Sequence, residues 1–258
     1  MRTQADKVRA FRALHQPGSP VVMPNIWSAG TAIAMANAGF EAIATTSGGL
    51  ALDHGVRDGE VGRLASVLAA TAIAAAVDIP VSADFENCFG DSADDCASLM
   101  VSAIRAGLAG ASVEDASGRP EQPIYELDHA TARVKAAVDA ARAAGDLVVT
   151  ARAENFLHGR PDLDDTVSRL KAFEAAGADV LFAPGLPDLE AIRAVCNAVS
   201  KPVSVIVYPA DPKMSAGDVA SVGVGRISLA GSLARLAHQT IVAAAQDVRA
   251  GLSGSTTP

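Results

Sequence analysis

The chain has 258 residues, half of them apolar and 19% charged, which is enough apolar sequence to bury a sizeable core and excludes a disordered or fibrous protein. The net charge of −8 argues against a nucleic-acid partner, and no apolar run approaches the roughly 18 residues that a membrane span needs. Three cysteines without metal-ligand spacing (Cys88, Cys96 and Cys196), together with an N-terminus that lacks the apolar core of a signal peptide, predict a cytoplasmic protein.

Short β-branched runs alternate along the chain with alanine-rich stretches whose apolar residues recur at helical spacing. The predicted strands are Val21–Pro24, Ala42–Ser47, Val81–Glu86, Gly110–Asp115, Leu147–Glu154, Val180–Pro184, Val203–Tyr208 and Arg226–Ala230. The predicted helices are Thr3–His15, Ser28–Ala38, Gly59–Ala76, Ser92–Ala106, Glu126–Ala144, Asp162–Ala176, Pro187–Val199, Ser215–Ser221 and Ser232–Arg249. Eight strand-then-helix units therefore follow one leading helix.

Most of the predicted strands are apolar throughout instead of alternating, as expected when helices cover both faces of a parallel sheet. Eight such units in one run favour an α/β fold of the (β/α)8 TIM-barrel type, and an open doubly wound sheet is the alternative. We expect one barrel domain over residues 1–250, followed by a flexible tail at residues 251–258.

Acidic residues collect where the second, third and fourth predicted strands end. In a barrel this is the end that carries the active site. The converging set is Asp58, Asp84, Glu86 and Glu114, with Asp115 and Glu154 close by. Because side chains alternate along a strand, Asp84 and Glu86 are predicted to share one face.

These carboxylates would repel one another strongly unless positive charge lies among them. An all-oxygen ligand set suits Mg²⁺ or Mn²⁺ better than zinc, and no cysteine and histidine cluster competes with it. The alternative is that individual acids cap helices or form ion pairs with Arg57, Arg152 or Arg160. For the set as a whole we favour the metal site.

Three further features suggest a site for an anionic substrate. The turn Ser47-Gly48-Gly49 lets backbone N–H groups approach an anion closely, although the same residues also form ordinary loops. Arg152, at the end of the fifth strand, is a candidate for binding a carboxylate or phosphonate in a bidentate manner. Trp27 lies where a loop would cover the site, or else anchors the core.

At these residues the chain resembles the isocitrate lyase and phosphoenolpyruvate mutase superfamily. The motifs that carry the resemblance are Thr46-Ser47-Gly48-Gly49, Gly55-Val56-Arg57-Asp58, the run Ala83–Gly90, Val113-Glu114-Asp115 and Ala151-Arg152-Ala153-Glu154. They occur in the family's order, and the resemblance covers roughly residues 5 to 245.

The resemblance implies a barrel whose last helix is often exchanged between subunits, commonly in a homotetramer. It implies Mg²⁺ held directly by Asp84, with Asp58, Glu86 and Glu114 acting largely through water. The substrate carboxylate is implied to bind at Ser47 and Gly48. The resulting assignments are Asp58 and Arg152 as catalytic, Trp27, Thr46, Ser47, Gly48 and Arg152 as substrate-binding, and Asp84, Glu86, Asp58 and Glu114 as metal-binding.

The sequence departs from the family at the loop after the fourth strand. The carbon–carbon lyases carry a Lys-Arg/Lys-Cys-Gly-His motif there, and the phosphonate mutases carry a lysine and an asparagine. Here the loop reads Ala116-Ser-Gly-Arg-Pro-Glu-Gln-Pro123, with Arg119 as its only cation. The tyrosine that the lyases place before Ser-Gly-Gly is replaced by Thr45-Thr46.

These departures argue against an ordinary isocitrate or methylisocitrate lyase and against a standard mutase. We expect a Mg²⁺-dependent lyase that cleaves a bond at C3 of a small, oxaloacetate-like 2-oxo acid through a metal-stabilised enolpyruvate. The alternatives are a phosphoenolpyruvate or phosphonopyruvate mutase or hydrolase, and a non-catalytic metabolite-binding barrel. A Schiff-base aldolase would need a lysine at a strand end, and only Lys213 is suitably placed. We expect neither nucleic acid nor membrane as a partner, and a homo-oligomer.

Overall fold

The computed structural model describes residues 2–209 and 213–253 and shows a parallel sheet curled into a nearly closed barrel. Its strands are β1 (Val21–Met23), β2 (Asn25–Ile26), β3 (Ile43–Thr45), β4 (Val81–Ala83), β5 (Gly110–Glu114), β6 (Val148–Arg152), β7 (Val180–Phe182), β8 (Val203–Ile206) and β9 (Arg226–Ser228). Every pair is parallel, and the order is β1-β9-β8-β7-β6-β5-β4-β3-β2. The predicted α/β TIM-type barrel is confirmed.

The barrel closes at Pro24, the last residue of the first predicted strand, which separates β1 from an additional short strand, β2. Before this residue β1 pairs with β9, and after it β2 pairs with β3. Proline has no backbone N–H to donate to a ladder, so the division falls where the chain changes from one neighbour to the other. The eight predicted strands thus appear as nine segments within the described residues.

The helices occupy the predicted places, with one addition. They are α1 (Gln4–Leu14), α2 (Ala29–Asn37), α3 (Ser47–His54), α4 (Arg63–Ala76), α5 (Ala93–Arg105), α6 (Leu127–Ala144), α7 (Leu163–Ala175), α8 (Leu189–Ala198), α9 (Ala216–Ser221) and α10 (Ser232–Ser253). The addition is α3, since Ser47-Gly48-Gly49 was predicted as a turn and forms the first turn of this helix. Thr46 begins α3 as its N-cap, because its hydroxyl accepts the N–H of Gly49.

Helix α1 covers the end of the barrel at which the strands begin. Val8 and Phe11 pack there against the first residues of the strands, including Val21, Val148 and Val180. A Cβ at Gly110 would lie only 2.7 Å from Phe11 Cε1, so this strand position needs glycine to make room for the ring. The opposite end, where the strands finish, therefore remains the open one.

The last helix, α10, touches the body of the barrel mainly through its contacts with α3 and β2. Four large apolar side chains on it are exposed: Leu236, Ile241, Val242 and Val248. The predicted tail at residues 251–258 lies mostly outside the described residues, and α10 as described continues to Ser253. No helix among the described residues is long and apolar enough to cross a membrane.

His15, at the end of α1, is buried without a partner for one ring nitrogen. Its Nδ1 lies 2.8 Å from the carbonyl oxygen of Phe11, whereas Nε2 has no hydrogen-bond partner. Burial, with a further contribution from the positive charge of Arg226, lowers the pKa of His15 to about 3. The folded protein therefore keeps this imidazole neutral at pH values where the unfolded chain binds a proton.

This difference predicts a loss of stability in mild acid. Between pH 6.5 and pH 5 the free energy of unfolding should fall by about 2 kcal/mol through His15 alone, because the unfolded state gains a proton that the folded state does not. His15→Leu should remove this part of the pH dependence in urea denaturation. His54→Leu, at an exposed histidine, serves as the control and should keep it. Equal slopes in the wild type and His15→Leu would contradict the prediction.

Candidate active site

Asp84, directly after β4, lies at the centre of the polar groups at the open end of the barrel. One carboxylate oxygen, Oδ2, accepts the backbone N–H of Ser47 at 3.1 Å. The other, Oδ1, accepts from Arg152 Nη1 at 3.0 Å and from the hydroxyl of Ser112 at 3.4 Å. Its own backbone N–H donates to the Thr45 hydroxyl at 2.8 Å. Four neighbouring groups therefore fix both the carboxylate and its backbone.

Arg152, the last residue of β6, faces three carboxylates. Besides Asp84, its Nε donates to Glu154 Oε1 at 2.7 Å, and its Nη2 lies 3.2 Å from Glu114 Oε2. Burial disfavours the charged guanidinium, but Glu154, Glu114 and Asp84 outweigh it and hold the pKa of Arg152 well above its ordinary value. Ion pairing with Arg152, which the sequence offered as an alternative to a metal, is present in the structure.

One arginine does not neutralise this group of acids. Burial, followed by the nearby charges of Asp84 and Asp58, raises the pKa of Glu86 to about 7. Burial also raises the pKa of Glu114 well above its ordinary value, although Arg152 opposes the shift. Burial is the largest cause of both shifts, and neighbouring carboxylates add to them. A cation among these acids would favour their charged forms.

Glu86 reaches the site through an unusual loop. The strand β4 ends at Ala83, so Asp84 and Glu86 follow the strand and their common side is not set by strand alternation, as the sequence had suggested. Three non-glycine residues of the loop have left-handed backbones: Glu86 (φ 50°), Cys88 (φ 64°) and Phe89 (φ 58°). Conformations of this kind cost about 1–3 kcal/mol each and persist only when neighbouring groups hold them.

Arg133, on α6, holds this loop. Its side chain is almost completely buried, and its Nη1 donates to the carbonyl oxygen of Gly90 at 2.6 Å. Its Nη2 donates to the carbonyl oxygen of Asn87. The guanidinium also lies over the ring of Tyr125, with 4.5 Å between Cζ and the ring centroid. Arg133 therefore fixes the backbone that carries Glu86 without entering the site.

The N-terminus of α3 forms another wall. The backbone N–H of Ser47 already donates to Asp84, while that of Gly48 forms no hydrogen bond among the described residues. Asp58 lies against the same turn, since a Cβ at Gly48 would be 3.1 Å from Asp58 Oδ2. A free N–H at the positive end of a helix is suited to bind an anion.

Two cavities meet at these residues. The inner one, of about 230 Å³, enters the barrel, and the outer one, of about 890 Å³, lies above the strand ends. The sequence-predicted site residues that line the inner cavity are Thr46, Ser47, Gly48, Asp58, Asp84 and Arg152. Those that line the outer one are Ser47, Asp58, Glu86, Glu114 and Arg152. Trp27 is apart from both and lines a small pocket with Leu50 and Ile73 behind α3.

The acids are better suited to a Mg²⁺ ion that keeps several water ligands than to a metal held by protein side chains alone. Among the described residues, no three acidic, histidine or cysteine side chains are arranged to hold an ion by themselves. Mg²⁺, however, keeps several waters and is usually bound through one or two carboxylates. Asp84, a half-buried carboxylate near further acids, offers oxygen ligands of this kind.

The sequence analysis missed several polar residues of the inner cavity. They are Asn25, Tyr208, Arg226, Ser228 and Arg235. Of these, Arg226 is the most unusual, because it is a charged residue at the start of strand β9 and is only 6% exposed. A charged residue inside a predicted buried strand was the available signal.

The comparisons with known proteins agree with this geometry. The family profile described as phosphoenolpyruvate phosphomutase matches residues 11–249. The chain belongs to the isocitrate lyase and phosphoenolpyruvate mutase superfamily. A lyase/mutase candidate from Burkholderia cenocepacia J2315 has a crystal structure that is 46% identical, with a TM-score of 0.91 over 99% of this chain and 94% of its own.

Two relatives within the superfamily have named activities. The 2-methylisocitrate lyase of Escherichia coli K12 is 30% identical over 228 residues, 84% of this chain and 75% of its own. The oxaloacetate decarboxylase of Paraburkholderia xenovorans LB400 is 41% identical over 114 residues, 41% of this chain and 36% of its own. The superfamily thus includes lyases, decarboxylases and mutases that act on small organic acids.

The contacts of Arg133 predict that it stabilises the loop after β4. Arg133→Met keeps much of the side-chain volume but removes the donors to Asn87 and Gly90, so we expect a loss of about 2–4 kcal/mol in the free energy of unfolding. Hydrogen exchange at residues 86–91 should accelerate more than in the strands. Arg193→Met, at an exposed arginine on α8, is the control and should change neither measurement. Unchanged exchange in the loop would refute this role.

Proposed function

We propose that this protein is a Mg²⁺-dependent lyase that cleaves a bond at C3 of a small, oxaloacetate-like 2-oxo acid. The observation that carries the proposal is Asp84, a fixed carboxylate that lines the inner cavity between the N-terminus of α3 and Arg152. In our proposal Asp84 binds the metal directly, and Asp58, Glu86 and Glu114 contact its waters. Mn²⁺ would fit the same oxygen donors.

The metal, when bound, supplies a Lewis acid that stabilises the negative charge developing on the 2-oxo group as the bond at C3 breaks. The chain's own groups bind and orient the substrate. The N–H of Gly48 is an available donor to a substrate carboxylate, and the helix dipole of α3 favours the negative charge there. Arg152 supplies a second positive group, fixed in direction by Glu154.

The sequence of the loop between β5 and α6 favours a carbon–carbon cleavage that uses no cysteine as general acid or base. It contains no thiol, and decarboxylation needs a proton only after the bond has broken. Water in the outer cavity supplies that proton in our proposal. Arg119, the one cation of the loop, donates to Asp91 at 2.6 Å and does not line either cavity, which disfavours binding of a phosphonate there.

The partial match to an oxaloacetate decarboxylase supports the substrate class, and the full-length match to 2-methylisocitrate lyase supports lyase chemistry in general. Members of the superfamily are Mg²⁺-dependent, which supports the cofactor. A Schiff-base mechanism is not supported, because Lys213 lines neither cavity. We also propose a cytoplasmic location, which the three free cysteines favour.

Pyruvate release tests the proposal directly. We expect Mg²⁺-dependent pyruvate formation from oxaloacetate, above its uncatalysed breakdown and abolished by a chelator. Methylisocitrate, isocitrate and phosphonopyruvate should give little or none. Asp84→Ala should lower the rate more than about 100-fold, because it removes the direct ligand. Asp94→Ala, at an acid in the first turn of α5, is the matched control and should leave the rate unchanged.

Each other outcome has a distinct meaning. Pyruvate from phosphonopyruvate alone would replace the proposal with phosphorus–carbon chemistry. Metal and ligand binding without any product would replace it with a metabolite-binding barrel.

We further propose that the protein is a homo-oligomer assembled through α10. The four apolar side chains exposed on this helix are Leu236, Ile241, Val242 and Val248, and the last three are 68%, 46% and 69% exposed. Several large apolar side chains exposed along one helix are typical of a surface covered by another chain, and a second copy of this chain is the partner we propose.

Disrupting this surface should reduce the assembly. Ile241→Glu should lower the molar mass measured by light scattering, because a carboxylate cannot be buried there without a partner. Leu64→Glu, at an apolar residue on α4 that is 73% exposed, is the control and should leave the mass unchanged. A wild-type protein that is already monomeric would contradict the proposal.

A further inference from the structure

Arg226 is a buried cation that lies deeper in the barrel than the carboxylates of the site. It is the first residue of β9 and lines the inner cavity. Its Nη1 donates to the hydroxyl of Thr150, two residues before Arg152 on β6. Because two strand residues span roughly 7 Å, this places its guanidinium about one layer below that of Arg152.

The protein holds Arg226 without neutralising it. Its Nε donates to the hydroxyl of Ser204 at 2.9 Å and its Nη1 to that of Thr150 at 3.0 Å, both uncharged groups. Within the described part of the chain it forms no ion pair with a carboxylate. Burial, together with repulsion from Arg152, lowers the pKa of Arg226 to about 9, so it remains positive at neutral pH.

One donor of Arg226 is left for a ligand. Thr150 and Ser204 do not line the cavity, so they hold the guanidinium from behind. Nη2 forms no hydrogen bond with the described residues. The described polar atoms that are both fully buried and unpaired do not include it, so Nη2 is partly exposed. It is therefore reached from the cavity. A buried charge without a counterion is costly, and an anion arriving through the cavity would offset that cost.

The interior of the barrel leaves room for such an anion. Barrels of this type usually fill their interior with bulky branched side chains. Here much of the lining of the inner cavity consists of small polar residues: Asn25, Thr45, Ser82, Ser112 and Ser228. The ring of Phe182 lies beside two guanidinium groups, with its centroid 5.1 Å from Arg152 Cζ and 5.7 Å from Arg226 Cζ. Three arginines therefore line the cavity: Arg152 is ion-paired, Arg235 is exposed, and Arg226 is buried without a carboxylate partner among the described residues.

We propose that Arg226 binds the distal carboxylate of a dicarboxylate substrate whose other end lies at Asp84 and Gly48. The inference rests on the proposed function and narrows its substrate to a 2-oxo acid with a second carboxylate. Arg226 is a binding residue that selects dicarboxylates over monocarboxylates of similar length. If the distal carboxylate leaves as CO2, its charge moves toward the 2-oxo group as the bond breaks, so the contact belongs to the ground state.

Binding of unreactive acids tests the subsite separately from catalysis. In titration calorimetry with a chelator present, succinate should bind the wild type at least tenfold more tightly than propionate. Arg226→Met should lose this preference, and Arg226→Lys should keep part of it. Thr150→Val should weaken succinate binding to a smaller extent, because it removes a support of Arg226 from outside the cavity. Circular dichroism and the melting temperature identify any variant that fails to fold.

The outcomes are separable. Selective succinate binding that depends on Arg226, with no lyase activity, would leave the subsite standing and refute the proposed reaction. Equal binding of succinate and propionate, or equal succinate binding by the wild type and Arg226→Met, would overturn the subsite. Inorganic phosphate that binds as tightly as succinate through Arg226 would also overturn it, by assigning the site to a free anion.

Kinetics supply a second readout if the enzyme decarboxylates oxaloacetate. Arg226→Met should raise KM at least tenfold without lowering kcat, because a ground-state contact is lost. A merely structural role would lower kcat together with the melting temperature, and that result would contradict the inference.

Discussion

The candidate active site depends on the concentration of carboxylates around one arginine, Arg152, whose side chain is 14% exposed. Asp84, Glu114 and Glu154 all approach Arg152, while Glu86 and Asp58 add negative charge nearby. Burying acids raises their pKa unless something positive lies among them, and Arg152 compensates only in part. These acids are the reason for proposing a cation at this end of the barrel.

The barrel makes this concentration possible because all of its strands finish at one end. Helix α1 closes the other end with Val8 and Phe11, and the junction at Pro24 joins the first and last strands of the sheet. Residues from β3, α3, β5 and β6 are thereby brought within hydrogen-bonding distance of Asp84, although they are far apart in sequence. Arg133 then holds the strained loop on which Glu86 depends.

The residues that this chain shares with the superfamily motifs are not the ones that distinguish it. The acids and the N-terminus of α3 belong to the motifs on which the resemblance to the family rests, and the proposed metal-assisted chemistry depends on them. The loop Ala116–Pro123 and Arg226 lie outside these motifs. In our interpretation the loop limits which bond is cleaved, whereas Arg226 limits which acids enter the barrel.

The sequence by itself determined the class of fold and most of the candidate site. Eight apolar runs, each followed by a helical pattern, predict a barrel. A strand buried on both faces is apolar throughout, and each helix that packs on it has apolar residues at helical spacing. The acids at strand ends are equally visible, since the strand positions fix the end of the barrel to which they belong. Thus Asp58, Asp84, Glu86, Glu114 and Arg152 could be named before the structure was known, and they line the two cavities.

Only the tertiary structure decided how these groups pair and what lies beneath them. Whether an acid faces Arg152 or a metal depends on distances between strands, and the sequence contains no such distances. The helical start at Ser47 depends on the cap that Thr46 provides in three dimensions. Arg226 looked like the beginning of an ordinary strand. Its importance arises because β9 turns it inward, toward neutral hydroxyl groups and an open cavity, and contacts of that kind exist only after the barrel has closed.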